Sequence, residues 1–245
     1  MPSALTLSLT DLVLPDQCNH HGTLFGGAAL SMLDKLAFIL GSKALRGPLV
    51  TASLRELQFH APVPAGSLTE CIGRVERVGE RSVTVEAQLF AEDLLSGERV
   101  LCLSGQAVMV SKAEPNPVVP VAPQPADAVR VAEVVFPGHT THRGILHGGP
   151  AMDWLAKAGF AAATRHARRG IVMAASERLD FIAPAHSGEV VEVDARVLKT
   201  GRSSLTVEVQ MHAENPETGE RRHCTSASLV FVAIDEAGRP VLLES

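Results

Sequence analysis

The sequence is poor in aromatic side chains. Its 245 residues include no tyrosine, one tryptophan and eight phenylalanines. Proteins that hold single-stranded nucleic acid stack successive bases on such rings, so a base-stacking surface is not expected. The formal net charge of −5 points the same way, although it leaves room for a local basic patch that binds a phosphorylated ligand. We therefore expect no nucleic-acid partner.

Long apolar runs and paired cysteines are also missing. The longest apolar segment is interrupted by Asp34 and Lys35, which argues against a transmembrane helix. The amino-terminal segment MPSALTLSLTDLVL lacks the basic region and the continuous apolar stretch of a signal peptide. The four cysteines form no CxxC pair, so a disulfide framework is not expected. These features predict a cytoplasmic protein with no membrane partner.

The chain contains the same pattern twice, at a constant offset of 122 and without a gap. A period this long exceeds the ~20–50 residues of solenoid repeats and indicates a duplicated domain. Where the two copies agree, the fold explains the residue; where a polar residue occurs in only one copy, function is the better explanation. The recurring pairs include Gly22 and Gly144, Gly26 and Gly148, Gly27 and Gly149, Phe59 and Phe181, Pro62 and Pro184, and Gly66 and Gly188.

Proline marks the junction between the copies. Residues 113–127 hold five of the fifteen prolines and predict an extended linker. At ~3.1 Å per residue, thirteen residues of such a segment reach about 40 Å, enough to cross a small domain. We therefore predict a first domain at residues 1–112, the linker at 113–127 and a second domain at 128–245. The two domains are expected to pair side by side.

Each copy predicts one long helix and an antiparallel sheet. The Ala- and Leu-rich runs 24–45 and 145–167 are helical by length and propensity. They are apolar nearly all round, so we expect enclosed helices. Segments 82–89 and 205–211 alternate as half-buried strands do. Other strands are expected near 5–13 and at 50–59, 68–78, 99–110, 172–181, 190–199 and 221–232. The fold class is therefore α+β, occurring twice, with each sheet wrapped around its helix.

The strongest candidate for chemistry is Asp34. It is the only acid in the first helical run, where a lone carboxylate is costly to bury unless it is paired. Its copy is Ala156, so the fold does not require an acid. A pairing with Lys35 is disfavoured, because sequence neighbours do not face one another on a helix. Upstream, Gly26 and Gly27 would expose helix N-terminal amides that polarise a carbonyl, although both also permit close packing of helix on sheet.

Several ordered motifs resemble those of the hotdog-fold acyl-CoA thioesterases. The matching segments are Asn19–Gly27, Asp34, Val50–Gly66 and Val78–Ser82, and in the second copy His142–Gly149, Val172–Gly188 and Thr200–Ser204. Each motif is weak alone, but their ordered combination, occurring twice, is fairly specific. The resemblance covers almost the whole chain except the linker and implies a tandem double-hotdog acyl-CoA hydrolase.

The resemblance also implies where the chemistry takes place. In this family two hotdogs pair about a pseudo-twofold axis, and each site combines the glycine loop of one with the helical acid of the other. Asp34 would act as general base or nucleophile, and the Gly149 amide would polarise the thioester carbonyl. Asn19, the family-type asparagine, and its copy Thr141 are the other catalytic candidates, although Asp34 and Asn19 would fall in different sites. One competent site per chain is therefore expected, joining Asp34 with loop 141–149.

Acyl-CoA is the implied substrate, and no cofactor is expected. Coenzyme A lies along the paired interface in this family, with its phosphates near basic residues. The family also forms larger assemblies, commonly trimers of double hotdogs, so a homo-oligomer is expected. The candidate substrate-binding residues are His142, His147, Phe25, Gly27, Arg81 and Arg202.

Other interpretations of these residues remain open. His139, His142 and His147 are loop histidines, but no carboxylate or cysteine at ligand spacing completes a metal site, so no metal is expected. Asp153, one helical turn before Ala156, is either a displaced acid or a favourable charge near a helix start. A hotdog hydratase or dehydratase is the second enzyme class. A non-catalytic double hotdog that binds acyl-CoA is the non-enzymatic alternative.

Overall fold

Two compact units make up the computed structural model, which describes residues 5–118, 124–125 and 127–243. Unit 1 centres on the first sequence copy and unit 2 on the second. Much of the proline-rich linker lies outside the described residues. The domain limits at residues 112 and 128 therefore stay predictions.

Unit 1 is a five-stranded antiparallel sheet wrapped around one long helix. The helix, α1, spans Gly26–Ala44. The strands are β1 (Thr6–Leu12), β2 (Leu49–Phe59), β3 (Leu68–Val78), β4 (Ser82–Glu92) and β5 (Arg99–Ser111). Their order in the sheet is β1-β3-β4-β5-β2, which places β2 at an edge.

Unit 2 repeats this arrangement element for element. Its helix, α2, spans Gly148–Ala167. The strands are β6 (Val129–Val134), β7 (Gly170–Phe181), β8 (Val190–Thr200), β9 (Ser204–Glu214) and β10 (Arg221–Ile234). The order β6-β8-β9-β10-β7 places β7 at an edge. The predicted α+β fold of tandem hotdog domains is confirmed.

Each helix is buried on all sides within its carboxy-terminal half but on one side only in its amino-terminal turns. In β4 the alternating residues Val83 and Val85 are fully buried, as are Leu33 and Leu36 on α1. Burying a side chain of this size is worth about 1.5–3 kcal/mol. Ser31 is nonetheless exposed, so the expectation of fully enclosed helices is wrong for this face: a single sheet covers one side of a helix. In the described residues, no helix is long and apolar enough to cross a membrane.

Unit 2 buries an ionic cluster on the outer side of β6 and β8. Arg130 is 3% exposed, and its guanidinium donates to both carboxylate oxygens of Asp194 at 2.7 and 2.6 Å. A second carboxylate, Glu192, lies 3.5 Å from the same guanidinium. Removing one partner of such a group would leave an uncompensated buried charge. The positions equivalent to Arg130 and Asp194 in the first copy are Ser8 and Ile72, so this ion pair belongs to unit 2 alone.

His212 lies beside this cluster and makes stability depend on pH. Burial, followed by the positive charges of Arg221 and His223, lowers the pKa of His212 to about 4. The carboxylates of Asp194 and Glu192 oppose that shift only in part. In the unfolded chain this histidine has a pKa of about 6.5, so the unfolded state takes up the proton first as the pH falls. Stability held by neutral His212 is thus present above about pH 6.5 and is lost as the pH falls towards 4.

We expect the unfolding midpoint to drop between pH 6.5 and pH 4.5, and His212→Phe to weaken that drop. The variant installs the residue of the first copy, Phe90. His212 is only half-buried, and solvent screens its interactions with the neighbouring charges. Its contribution to the free energy of unfolding is therefore on the order of 1 kcal/mol. This corresponds to a shift of roughly 2–4 °C in the unfolding midpoint. Thermal unfolding followed by circular dichroism measures it. Equal pH slopes in the two proteins would contradict this role of His212.

Candidate active site

Asp34 lies on α1, and its carboxylate is held by a threonine of β2. Thr51 Oγ1 donates a 2.6 Å hydrogen bond to Asp34 Oδ1, and the Met109 sulfur lies 3.5 Å from the same hydroxyl. A short bond to an ionised acceptor is stronger than a neutral one and fixes its orientation. Lys35 instead lies 3.6 Å from Asp11, which removes the interpretation of Asp34 as a partner of Lys35.

Thr51 is the residue that sequence analysis missed. It lies in the Val50–Gly66 motif, but nothing in its local pattern separates it from other strand threonines. Comparison of the two copies could have identified it. Thr51 corresponds to Met173, so its hydroxyl, like the acid of Asp34, is present in one copy only.

The equivalent place in unit 2 is apolar throughout. The positions of Asp34, Thr51 and Met109 are occupied there by Ala156, Met173 and Phe231. The acid and its hydrogen-bond donor have been replaced together, so unit 2 has no carboxylate at this position. The one acid of α2, Asp153, is exposed and lies one helical turn before Ala156.

The glycine pairs form the amino ends of the two helices. α1 begins at Gly26 and α2 at Gly148, after the N-cap residues Phe25 and His147. Neither N-cap side chain makes a capping hydrogen bond. The N–H groups of a first helical turn have no acceptor within the helix, and they carry its partial positive charge. These amides are therefore suited to polarise a carbonyl oxygen.

The two amino ends differ in how open they are. A Cβ atom on Gly27 would lie 2.7 Å from Phe25 Cε1, because the phenylalanine ring covers the first turn of α1. Apart from its chain neighbours and the backbone of its own helix, a Cβ atom on Gly149 would meet no atom within 4 Å in the described part of the chain. His147, which takes the place of Phe25, leaves this turn uncovered. The amino end of α2 is therefore the more accessible to a ligand.

Asn19 and Thr141 each close the turn ahead of the glycines. Asn19 Oδ1 accepts hydrogen bonds from the N–H groups of His21 and Thr23 at 2.9 and 3.3 Å. Its amide group donates to Thr23 Oγ1 at 3.0 Å. Thr141 Oγ1 accepts from the N–H of Arg143 at 3.2 Å. Both side chains shape the loop, and a threonine can replace the asparagine in this structural role.

The predicted substrate-binding residues lie at several points on the two units. Two basic residues are exposed near strand ends: Arg81 lies 3.6 Å from Glu114, and the Arg202 carbonyl accepts from the N–H of Leu243 at 2.8 Å. The others sit at the amino ends of the helices or on the loops before them: Phe25, Gly27, His142 and His147. In the described residues, no group of three or more His, Cys, Asp or Glu side chains is placed to hold a metal ion.

The family model of the thioesterase superfamily matches this chain twice, at residues 21–98 and 143–220. These two segments span more than half of the chain and contain both helices and both glycine pairs. The protein therefore belongs to the thioesterase superfamily.

Individual relatives agree with this assignment. The crystal structure of an acyl-CoA hydrolase from Agrobacterium tumefaciens is 37% identical, covers 98% of both chains and has a TM-score of 0.86. Acyl-coenzyme A thioesterase 11 of Mus musculus is 25% identical over 96% of this chain. The chain spans about half the length of that mouse protein, 48%. An uncharacterised acyl-CoA thioester hydrolase of Zymomonas mobilis is 35% identical over 49% of this chain and 80% of its own length.

Proposed function

We propose that this protein hydrolyses the thioester of an acyl-CoA to a free acid and coenzyme A. The observation that carries the proposal is the carboxylate of Asp34, oriented by Thr51 at 2.6 Å, in a member of the thioesterase superfamily. The similarity to the A. tumefaciens acyl-CoA hydrolase supports the same substrate class.

In the proposed reaction, Asp34 acts as general base towards a water molecule. With Oδ1 accepting from Thr51, Oδ2 is the oxygen that takes the proton of the water. The resulting hydroxide adds to the thioester carbonyl, whose oxygen is polarised by the amide of Gly149. Collapse of the tetrahedral intermediate breaks the C–S bond, and the departing thiolate takes the proton back from Asp34. The products are one carboxylic acid and one free thiol.

Direct attack by Asp34 on the thioester is the other route to the same products. A single turnover in ¹⁸O-labelled water tests for direct attack followed by opening of the intermediate at the aspartyl carbon. Base catalysis puts ¹⁸O into the acid released in the first turnover. Direct attack forms an anhydride with Asp34, and water opening it at the aspartyl carbon leaves the label on Asp34. We expect the label in the released acid.

A panel of saturated and 2-enoyl CoA thioesters tests the reaction class. Hydrolysis frees thiol from both kinds of substrate. A hotdog hydratase would consume the enoyl absorbance without freeing thiol, and a non-catalytic acyl-CoA-binding protein would bind both kinds unchanged. We expect thiol release, and its absence across the panel would contradict the proposed function.

Thr51→Val is expected to lower kcat by about tenfold or more with a smaller change in KM. The hydroxyl acts through Asp34, and a hydrogen bond to a charged group is worth about 1.5–3 kcal/mol. Thr51→Ser, which keeps the hydroxyl, should recover most of the rate. The matched change in the second copy, Met173→Val, controls for altered packing at this strand position. A fall in kcat that is equal for Thr51→Val and Thr51→Ser would show that the hydroxyl is not what matters.

We further propose roles for the residues around the reacting group. His142 and His147, exposed beside the open end of α2, contact the substrate, and Arg81 and Arg202 are candidates for holding the phosphates of coenzyme A. In the first copy, Asn19 shapes the loop together with Phe25 and Gly27. No acid is available to this loop from α2, which carries Ala156 at the position equivalent to Asp34. Thr141 takes the place of Asn19 in the loop that leads to Gly149.

Assembly is also a proposal. The edge strands β2 and β7 are exposed along most of their length, and an exposed edge is usually paired or covered. We propose a cytoplasmic homo-oligomer in which three chains, each a double hotdog, associate. Light scattering is then expected to give three times the chain mass of 25.9 kDa. A monomeric mass at working concentration would contradict the assembly but not the chemistry.

A further inference from the structure

Unit 2 contains an apolar cleft of about 400 Å³ beside the amino end of α2. The residues that line it include Ile145, Ala151 on the first turns of α2, residues 181–185, Met211 and Cys224. Gly148 also lines the cleft, so the cleft lies next to the helix turn that carries Gly149.

Several polar backbone groups along residues 181–185 are already hydrogen bonded within unit 2, and Thr225 is the one hydroxyl residue among those that line the cleft. The N–H of Ile182 donates to the Cys224 carbonyl at 2.7 Å. The Pro184 carbonyl accepts from Arg222 Nε at 2.9 Å and from the Cys224 thiol at 3.7 Å. Burial raises the pKa of Cys224, so its thiol stays neutral. A polar ligand would lose its hydration here without replacement, whereas a hydrocarbon would not.

We propose that this cleft binds the hydrocarbon chain of the acyl group and makes medium-chain acyl-CoA the preferred substrate class. The proposal rests on the proposed function, because it takes the ligand to be an acyl-CoA. At ~30 Å³ for a group about the size of a water molecule, the cleft accepts on the order of ten carbon atoms. A chain lying in it places its thioester at the mouth, beside Gly148 and Gly149.

The duplicated sequence provides a matched control within the same chain. Ala183, on the cleft wall, corresponds to Ala61 in the first copy, and both are half-buried. The neighbouring Ile182 corresponds to His60, whose ring is 2.8 Å from the Ser104 hydroxyl. The first copy thus carries a polar pair where the second has an apolar wall.

Binding can be followed separately from turnover. Trp154, the only tryptophan, is buried on α2 one helical turn after Ala151. Its fluorescence is the readout for titration with S-alkyl-CoA thioethers of four to twelve carbons, which cannot be hydrolysed. We expect affinity to rise by about two- to fourfold per methylene, since a buried methylene contributes ~0.8 kcal/mol when fully buried. The rise should stop near ten carbons. Affinity that is independent of chain length would overturn the proposal.

Ala183→Leu fills part of the cleft, and Ala61→Leu adds the same volume to the other copy. We expect Ala183→Leu to lower the ratio of decanoyl- to butyryl-CoA kcat/KM by about tenfold, and to weaken decyl-CoA binding likewise. Ala61→Leu should keep the wild-type ratio. Thermal unfolding checks that both variants fold, and Ile182→Ser, at an exposed position of the wall, provides a second change with the same expected direction.

The outcomes separate this inference from the proposed function. Chain-length-dependent binding that Ala183→Leu weakens, without thiol release by the wild type, supports the cleft and refutes hydrolysis. Thiol release with equal ratios in the Ala183→Leu, Ile182→Ser and Ala61→Leu proteins refutes the cleft and leaves hydrolysis standing.

Discussion

Replacing Asp34 by asparagine is expected to lower kcat for thiol release by about 10²- to 10⁴-fold, the usual contribution of a positioned general base. The variant keeps the size of the side chain and an oxygen that can accept from Thr51, so the fold should survive. What it removes is the ability to take a proton from water. Turnover is measured under saturating acyl-CoA, so that the loss reports on kcat.

Asp153→Asn is the matched control for that experiment. Asp153 is the other acid of the helical pair, exposed on α2 one turn before the position equivalent to Asp34. We expect its replacement to change kcat by less than about threefold, as for a surface charge near a helix start. Near-normal turnover of Asp34→Asn combined with an inactive Asp153→Asn would mean that the acid has moved to Asp153.

Gly149→Pro is expected to lower kcat by about 10²- to 10³-fold, the cost of losing one oxyanion donor. Proline is tolerated in the first helical turn, so the change deletes the N–H group while α2 can still form. Circular dichroism confirms that the helix content is kept. The measurement is again the rate of thiol release at saturating substrate.

The same change at Gly27 tests the inequality of the two helix ends. The ring of Phe25 covers the first turn of α1, and α2 carries Ala156 at the position equivalent to Asp34. We therefore expect Gly27→Pro to cost less than about tenfold. Equal losses from Gly27→Pro and Gly149→Pro would show that both amides serve reactions, and would contradict a single competent site.

Much of the fold could be predicted because the same residue pattern occurs twice in the sequence. The alternation of apolar and polar residues in segments 82–89 and 205–211 predicted strands. The glycine pairs before the helical runs predicted where each helix begins. The enclosed-helix prediction failed at Ser31, because overall apolar content does not say which face of a helix a single sheet covers.

The candidate site could be predicted from the sequence only in part, for a different reason. Asp34 stood out as a lone acid in an apolar run. Its hydrogen bond to Thr51 joins residues that are 17 positions apart, and the pairing depends on how β2 lies against α1. The covering of Gly27 by the Phe25 ring depends on a side-chain direction, and no sequence pattern specifies it. Such contacts arise from tertiary packing and become visible only in three dimensions.

The measurement that tests the central claim most directly is the number of productive sites per chain. Calorimetric titration with a tight-binding, non-hydrolysable decanoyl-CoA analogue counts the ligands, and the same titration on Asp34→Asn and Gly149→Pro shows which residues they depend on. A single acid-bearing hydrolytic site predicts one ligand per chain, together with thiol release that Asp34→Asn abolishes. Two equivalent ligands per chain, with turnover that survives Asp34→Asn, would contradict it.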